Sequence, residues 1–355
     1  MRNAGRDAAH DADIGRPADY TDRMARPRID RLNVHIDPAP PDGAIRFLKS
    51  DLDPGIEVTC GPQPAPEADI LVSGRPTRDR LDECPRLRAL VVPYAGVPAE
   101  TRALLLSSFP DLEVYNLHHN ASAAAELGVA LLLAAAKAIV PADRALRRGD
   151  WRTRYDGEST LILAGKTAVV LGLGAIGGRI AAICHSLGME VHAVRRRSDL
   201  QAAPYVSVHP PSSLSFVLPL ADALLVCLPL TPETEGLLGD RELRLLRPSS
   251  VLVNIARGAI VVEHALFHAL REHRIAAAGI DVWYRYPSAP AERENTPPSQ
   301  YPFHELDNVV MSPHRGGAFG TEELEKERMH ELAGTLNAVA RGESVPHRVD
   351  MLAGY

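Results

Sequence analysis

The chain has 355 residues, of which 45% are hydrophobic and only 5% aromatic, and it carries a formal net charge of −6. This length suffices for two core-forming domains, and the mildly acidic balance argues against a nucleic-acid partner. No apolar run reaches the ~20 residues of a membrane span, and the nearest candidate, residues 128–140, is interrupted by Lys137. We therefore expect no membrane partner.

The four cysteines are scattered and include no C-x-x-C pair. This pattern favours reduced thiols in a cytoplasmic protein over disulfides or a metal site. Residues 1–28 combine Arg, Asp, Ala and Pro with little apolar content, which predicts a disordered leader without the apolar centre of a signal peptide. The natural start stays open between Met1 and Met24.

Strands and helices alternate from residue 29 to about residue 120. Strands are predicted over 32–36, 56–59, 70–73, 87–92 and 112–116, with a helix over 45–52. Such alternation is typical of a doubly wound parallel sheet, here without a glycine fingerprint of its own. One continuous helix is predicted over 121–148, and its Ala- and Leu-rich composition indicates burial between domains or subunits.

A β-α-β unit occupies the middle of the chain. The apolar run Thr167–Leu171 predicts a strand buried on both faces, and Gly172, Gly174 and Gly177 follow it with G-x-G-x-x-G spacing. A helical pattern and a second apolar strand, Glu190–Val194, complete the unit. The three glycines in this context predict a dinucleotide-binding turn, and a glycine-rich turn in some other α/β protein is the alternative.

Each glycine has a separate physical reason. Gly172 allows the tight turn out of the strand, Gly174 allows close approach to a pyrophosphate, and Gly177 allows close helix–strand packing. The unpaired N–H groups of the first helical turn, at Ala175 and Ile176, then face the phosphates.

The end of the second strand indicates which dinucleotide binds. An NAD site normally has Asp or Glu there to bond the ribose 2′-hydroxyl. This chain has Arg195, Arg196, Arg197 and Ser198 instead. Guanidinium and hydroxyl groups suit a 2′-phosphate, so NADP is the predicted cofactor and NAD the second choice. Arginines at an exposed strand end without any ligand are the alternative.

The C-terminal half predicts strands over 221–228, 250–256, 276–282 and 308–311, and helices over 263–272 and 321–341. Ligands of doubly wound sheets bind at the carboxyl ends of strands. Arg257 there suits a substrate carboxylate, His314 suits proton transfer, and Asp281 is an acceptor for the nicotinamide carboxamide. The backbone of the Tyr94-Ala95-Gly96-Val97 loop offers N–H donors to an anion. Each of these residues alone is a weak signal, but together they predict a substrate site at the carboxyl ends of the strands.

Five segments carry a resemblance to a known family: VLGLGAIGGRIA, CLPLTPETEGLLG, VNIARGAIV, AGIDV and NVVMSPHRGG. They resemble the NAD(P)-dependent D-isomer-specific 2-hydroxyacid dehydrogenases, which include phosphoglycerate, glyoxylate/hydroxypyruvate and formate dehydrogenases. The resemblance implies two doubly wound, Rossmann-like α/β domains around a cleft. It assigns residues 29–120 and 318–355 to a flavodoxin-like substrate domain and residues 121–317 to the cofactor domain, and it implies a homodimer.

The resemblance also implies roles for single residues. Arg257 and the Tyr94–Val97 loop hold the substrate carboxylate, and His314 is the acid/base. Further cofactor contacts are implied in the matching segments, at Leu228, Pro229, Thr234, Ile255, Ala256 and Gly316. The expected activity is hydride transfer between NADP(H) and a small carboxylate, foremost a 2-hydroxyacid/2-oxoacid pair.

One departure from the family pattern concerns the acid/base. The family usually has a glutamate before the proline that follows D-V-F, whereas this chain has Tyr286 there. A neutral phenol cannot raise the pKa of a histidine by charge, so His314 is expected to be protonated less often. As an alternative, the loop over 284–304 is shifted and Glu292, Glu294 or Glu305 reaches His314.

The same departure leaves two other functions open. Formate dehydrogenases carry an uncharged glutamine at that position and need no proton transfer. The family also includes corepressors, so a dinucleotide-sensing binding protein without catalysis is the third reading. A second departure is the adjacent pair His118 and His119. Neighbouring side chains point apart on most backbones, so a shared metal ion is not expected. Either histidine is a candidate for lining the substrate cleft from the first domain.

Overall fold

The computed structural model describes residues 28–41, 43–156, 160–317, 320–345 and 347–352. All but the last residue of the predicted leader lies outside the described residues. The strands are β1 (Leu32–Ile36), β2 (Ile56–Cys60), β3 (Ile70–Val72), β4 (Ala89–Val92), β5 (Glu113–Asn116), β6 (Thr167–Leu171), β7 (Glu190–Val194), β8 (Val206–His209), β9 (Ala223–Val226), β10 (Val251–Asn254), β11 (Ala277–Ile280) and β12 (Val309–Met311).

The α-helices alternate with these strands. They are α1 (Ala44–Asp51), α2 (Arg78–Asp82), α3 (Ala99–Ser108), α4 (Ala121–Ala136), α5 (Ile139–Leu146), α6 (Arg152–Tyr155), α7 (Ala175–Ser186), α8 (Leu214–Val217), α9 (Asp240–Leu243), α10 (Glu263–Arg271) and α11 (Glu322–Arg341). Short 3₁₀ turns lie at Pro211–Ser213, Leu218–Leu220, Gly258–Ile260, Pro290–Glu292 and Phe303–Glu305.

The strands form two parallel sheets. The first has five strands in the order β2-β1-β3-β4-β5, and the second has seven in the order β12-β11-β10-β9-β6-β7-β8. Every pairing within them is parallel. The predicted α/β fold with two doubly wound sheets is therefore confirmed. Strand β8 was not predicted, because its sequence VSVH is half polar and it is a partly exposed edge strand.

The C-terminal helix packs on the first sheet. Met329, Leu332 and Leu336 of α11 are buried in one cluster with Leu32 of β1 and Leu48 of α1. Parallel strands need helices on both faces of the sheet, and α11 supplies part of this cover from the far end of the chain. The first sheet is thus completed by residues that follow the whole second sheet in sequence.

The prediction of one continuous helix over residues 121–148 is wrong. The segment forms two helices, α4 and α5, bent by 64°. Ala138 adopts a left-handed φ of 48°, and the Lys137 ammonium group donates to the carbonyl of Leu161 at 2.6 Å. Pro141 then falls in the first turn of α5, where its missing N–H costs nothing, whereas in a continuous helix it would remove a hydrogen bond.

Helix α4 is mostly buried, as its composition predicts, and it packs against β10, β11 and α7 of the second sheet. Its expected position between domains or subunits stays a prediction. In the part of the chain that the structure describes, no single helix is long and apolar enough to cross a membrane; α4 and α5 reach that length and composition only as a bent pair.

Candidate active site

The glycine turn between β6 and α7 is closely packed. Gly172 has a φ of +93°, and a Cβ built on it would lie 2.8 Å from the carbonyl oxygen of Cys227. A Cβ on Gly177 would lie 1.9 Å from the carbonyl oxygen of Gly172. Both clashes involve backbone atoms that cannot move aside, so the turn requires glycine at both positions.

The N-terminus of α7 fits a dinucleotide phosphate. Gly174 is the N-cap of this twelve-residue helix and provides no side-chain cap. A Cβ on Gly174 would meet no described atom within 4 Å, so the space beyond the turn is open. The first-turn N–H groups, including those of Ala175 and Ile176, have no partners within the helix, and the helix dipole favours an anion there.

The arginines after β7 divide into two roles. The guanidinium of Arg195 donates to the carbonyls of Leu200 and Gln201, so it is used to shape its own loop. Arg196 is exposed at the strand end, and Ser198 is partly exposed. Arg195 thus makes a structural contact within its own loop.

Arg196 lies near the loop after β9. A hydrogen bond from Thr231 lowers the pKa of Glu233, and the positive charge of Arg196 adds to that effect. The loop itself is closed by Thr234, whose hydroxyl donates to the carbonyl of Pro229 at 2.6 Å and accepts from the N–H of Thr231 at 2.8 Å. The charge of Arg196 thus acts on Glu233, which lies in this loop.

The other predicted cofactor residues line the same sheet end. Leu228 lies over the glycine turn, 3.2 Å from the Cβ position of Gly172. Ile255 packs on Gly128 of α4, and the N–H of Ala256 donates to the side chain of Asn254. Ile255 and Ala256 are almost fully buried and belong to the core of the second sheet, and their contacts with a cofactor stay a prediction.

That turn carries Arg257. Asn254, which is buried, donates from its side chain to the carbonyl of Arg257 at 3.0 Å and accepts from the N–H of Ala256 at 3.1 Å. Nη1 of Arg257 donates to the carbonyl of Ala256 at 2.6 Å. Its Nη2 lies only 2.6 Å from the Cβ position of Gly96, so the guanidinium contacts the loop after β4. The loops of the two sheets meet at this point.

The loop after β4 is held from both sides. The Asn116 side chain donates to the carbonyl of Ala95 at 2.6 Å. The Tyr94 hydroxyl lies 2.0 Å from the position that a Cβ on Gly74 would take, and it forms a hydrogen bond with Arg75. Burial raises the pKa of Tyr94, and Arg75 partly opposes this shift. The backbone around Gly96 is therefore fixed opposite Arg257.

Asp281 holds the loop that carries His314. Its buried carboxylate accepts from the Ser312 hydroxyl at 2.5 Å and from the N–H groups of Arg315 and Gly316 at 2.7 and 2.9 Å. Three of its roughly four lone-pair sites are thus occupied within the protein. The structure gives Asp281 this loop contact, and the nicotinamide contact expected from the sequence stays a prediction.

His314 lies within that loop in a left-handed conformation, with a φ of 58°. Burial lowers its pKa, the positive charge of Arg257 lowers it further, and Asp281 raises it. The ring of Tyr286 lies beside it, with the ring centroids 5.6 Å apart and tilted by 56°. The Tyr286 hydroxyl accepts from the N–H of Trp283 at 3.0 Å, so it is engaged within its own loop.

The glutamates that were the alternative partners of His314 lie elsewhere. Glu292 accepts from the N–H and hydroxyl of Ser288, and Glu305 lies beside His304. Glu294 is exposed. Within the described ranges, none of the three hydrogen-bonds the ring of His314.

The pair His118 and His119 lies where β5 leads into α4. The N–H of His118 donates to Glu331 of α11, and its ring packs on that of His347 at 4.4 Å. Burial lowers the pKa of both His118 and His119 to about 4. Across the described part of the chain, no group of three His, Cys, Asp or Glu side chains is arranged to hold a metal ion.

Sequence reasoning missed several supporting residues. Asn254 and Asn116 are buried polar residues at the ends of apolar strands, and this position was the available signal. Ser312 directly precedes the Pro313-His314 pair, but nothing in its local sequence shows that it bonds Asp281. Arg75 follows β3 without any recognisable motif.

These features define the class of protein. A parallel sheet with a glycine turn and an open helix N-terminus fits a dinucleotide, and a guanidinium and an imidazole converge beside it. The arrangement is that of a dinucleotide-dependent oxidoreductase.

Comparison with known proteins identifies the family. A family model described as "D-isomer specific 2-hydroxyacid dehydrogenase, NAD binding domain" matches residues 129–316. A glyoxylate reductase of Aeropyrum pernix is 35% identical over 305 residues, covering 81% of this chain and 84% of that protein. A D-3-phosphoglycerate dehydrogenase of Methanocaldococcus jannaschii is 33% identical over 290 residues, covering 80% of this chain; the chain spans about half (52%) of that longer protein.

A solved structure agrees with these matches. A D-isomer specific 2-hydroxyacid dehydrogenase from Xanthobacter autotrophicus Py2, in complex with NADPH and MES, superposes with a TM-score of 0.75 at 26% identity, covering 92% of this chain and 100% of that chain. The chain belongs to the D-isomer-specific 2-hydroxyacid dehydrogenase family, whose members are NAD(P)-dependent oxidoreductases acting on the CH–OH group of small carboxylates. The resemblance drawn from the sequence is confirmed.

Proposed function

We propose that this protein is an NADP-preferring reductase or dehydrogenase that interconverts a small 2-oxoacid and the corresponding 2-hydroxyacid. The contact between Arg257 and Gly96 carries this proposal. It brings a guanidinium from the second sheet against a backbone loop of the first, on the side where His314 lies. A planar guanidinium opposite backbone N–H donors suits a carboxylate, which both can bind at once.

In this proposal Arg257 and the Tyr94–Val97 loop hold the substrate carboxylate. Arg257 is exposed and its Nη1 is already bonded to Ala256, so its remaining donors are available to the substrate. Binding at two points fixes the orientation of C2, and such positioning supplies much of the rate of a hydride transfer.

His314 moves the proton. In reduction it donates to the oxygen on C2, and in oxidation it accepts the proton of the hydroxyl. When bound, the nicotinamide supplies or accepts the hydride. Because burial and Arg257 lower the pKa of His314, the neutral imidazole dominates at neutral pH, which suits the oxidative direction.

The proposed preference for NADP rests on the end of β7. Arg196 and Ser198 offer a guanidinium and a hydroxyl to a 2′-phosphate, with Arg195 shaping the loop behind them. The absence of a carboxylate at residues 195–198 removes both the usual partner of the ribose hydroxyl and the repulsion of a phosphate. The NADPH named in the Xanthobacter autotrophicus structure supports the same preference.

A substrate screen tests the function. Glyoxylate, hydroxypyruvate and related 2-oxoacids should be reduced with NADPH, and Arg257→Ala should lower kcat/KM by roughly 100-fold or more. Arg271→Ala, which removes an exposed arginine on α10, is the matched control and should leave the rate unchanged. Absence of turnover across the panel would refute the proposal.

The same screen separates the two alternatives. Turnover of formate alone would indicate an oxidation without proton transfer, which the uncharged Tyr286 beside His314 would permit. Tight NADPH binding without turnover of any substrate, with a protein partner that co-purifies, would indicate a binding protein. Glu→Gln changes at residues 292, 294 and 305 should leave the pH–rate profile unchanged, because none of these carboxylates contacts His314.

We also propose the domain division, assembly and location of the protein. The packing of α11 on the first sheet and of α4 on the second supports a substrate domain of residues 29–120 with 318–355 and a cofactor domain of residues 121–317. A homodimer is supported by a group of exposed apolar side chains in one segment, namely Ile139, Leu146, Trp151, Tyr155 and Ile162. The four free cysteines support a cytoplasmic location. Sedimentation would test the dimer, which Trp151→Glu should weaken.

A further inference from the structure

Trp283 lies between the two residues of the proposed chemistry and is 6% exposed. On one side its carbonyl oxygen lies 2.4 Å from the Cβ position of Gly258, the residue that follows Arg257. On the other side its indole Nε1 donates to the carbonyl of Ser312 at 2.8 Å, two residues before His314. Trp283 therefore contacts the backbone directly after Arg257 and two residues before His314.

The loop that carries His314 depends on such contacts. It leaves the sheet after β12, and His314 adopts a φ of 58°, which a residue with a Cβ adopts only where its surroundings enforce it. Asp281 holds the N–H groups of Arg315 and Gly316, on the far side of His314. The indole of Trp283 holds Ser312 on the near side, so the backbone is held on both sides of His314.

Tyr286 completes the arrangement around the imidazole. Its hydroxyl accepts from the N–H of Trp283 at 3.0 Å, and its ring lies beside that of His314. Trp283 is therefore bonded through its backbone to Tyr286 and through its indole to Ser312. In the described residues, no carboxylate hydrogen-bonds the ring of His314, so its direction depends on packing and on the fixed loop.

We propose that Trp283 is a positioning residue for His314, acting through the Ser312 carbonyl and together with the ring of Tyr286. This inference rests on the proposed role of His314 in proton transfer. The indole is suited to it because its N–H donates to the Ser312 carbonyl, whereas a phenyl ring is smaller and has no N–H to donate. A reacting group displaced by about 1 Å loses roughly 100-fold in rate, so one bond at the base of the loop has a measurable effect.

Trp283→Phe tests the proposal, because it removes the N–H and keeps an aromatic ring. We expect kcat for 2-oxoacid reduction to fall by about tenfold, while the KM for NADPH stays within about twofold because the glycine turn is untouched. The midpoint of the His314 titration, followed by the NMR signal of its ring Cε1–H and assigned with His314→Gln, should also shift. That signal reads His314 directly, so it is informative even if the proposed substrates fail.

Tyr284→Phe is the matched control. It removes a comparable hydrogen bond from the same loop, between the Tyr284 hydroxyl and the carbonyl of Val261 at 2.8 Å. Among the described residues, Tyr284 makes no hydrogen bond to the His314 loop. The substitution should leave both kcat and the His314 titration unchanged. If Trp283→Phe lowers thermal stability like Tyr284→Phe but leaves kcat and the titration at their wild-type values, Trp283 is merely structural and the proposal is overturned.

Discussion

The substitution Tyr286→Glu places a carboxylate beside the imidazole of His314. The two rings lie with their centroids 5.6 Å apart, so a carboxylate at this position would lie at a similar distance. At an effective dielectric constant of about 20, opposite unit charges at that separation attract by about 3 kcal/mol, or about 2 pKa units. Tyr286 is 49% exposed, so solvent screening reduces the effect and we expect the pKa of His314 to rise by about one unit.

The direction of the pH effect follows from which form of His314 reacts. Reduction needs the imidazolium, and in the wild-type protein burial and Arg257 lower the pKa of His314. The reductive kcat/KM should therefore fall as the pH rises through this lowered pKa, with its plateau on the acid side. In Tyr286→Glu the pKa of His314 is higher, so the reductive plateau should extend to a higher pH. The oxidative kcat/KM should begin to rise only at a higher pH than in the wild-type protein.

Two assays measure the shift. One is the pH profile of kcat/KM in both directions, and the other is the NMR titration of the His314 ring. Tyr286→Gln is the control, because it matches the size of glutamate without its charge and should leave the pKa close to the wild-type value. If Tyr286→Glu leaves both the profile and the titration where they are in the wild-type protein, the claim that an uncharged residue at this position keeps His314 neutral is refuted.

Three further predictions follow from the structure. Arg196→Ala should weaken NADPH binding by tenfold or more and leave NADH binding unchanged, since a hydrogen bond to a charged group contributes about 1.5–3 kcal/mol. Arg195→Ala should weaken the binding of both cofactors alike, because the Arg195 guanidinium holds the loop. Gly177→Ala should abolish cofactor binding and lower Tm, since the new Cβ would lie 1.9 Å from a backbone oxygen; normal binding would show that the turn can adapt. The free energy of unfolding should fall from about pH 6.5 towards pH 4. Folding lowers the pKa of His118 and His119 to about 4, so only the unfolded chain binds their protons in that range. The slope is at most about 1.4 kcal/mol per pH unit for each histidine, and His118→Gln should reduce the slope in a series of denaturation experiments at different pH.

Several of these predictions depend on contacts that the sequence does not reveal. The triple of arginines at the end of β7 predicts a phosphate site, but the sequence does not say which guanidinium faces outward. In the structure Arg195 turns to the carbonyl of Leu200. Both orientations satisfy the same local preferences, and only the path of the loop over residues 199–201 decides between them.

The helix after β5 illustrates a second limit. Its composition predicts burial, and α4 is mostly buried. The break at Lys137 and Ala138 was missed because Lys137 is bonded to Leu161, which lies far along the chain. Propensity favoured a continuous helix, and a tertiary hydrogen bond together with Pro141 favoured the bend.

The sequence by itself determined the parallel α/β fold, the glycine turn and the family, because these depend on short-range features: apolar runs of strand length, glycines where a Cβ would clash, and motifs in a fixed order. The tertiary structure alone decided that Arg257 contacts Gly96, that Asp281 fixes the His314 loop, and that Trp283 bonds Ser312. Each of these contacts joins residues from separate segments, and its geometry is set by how strands, helices and loops pack in three dimensions.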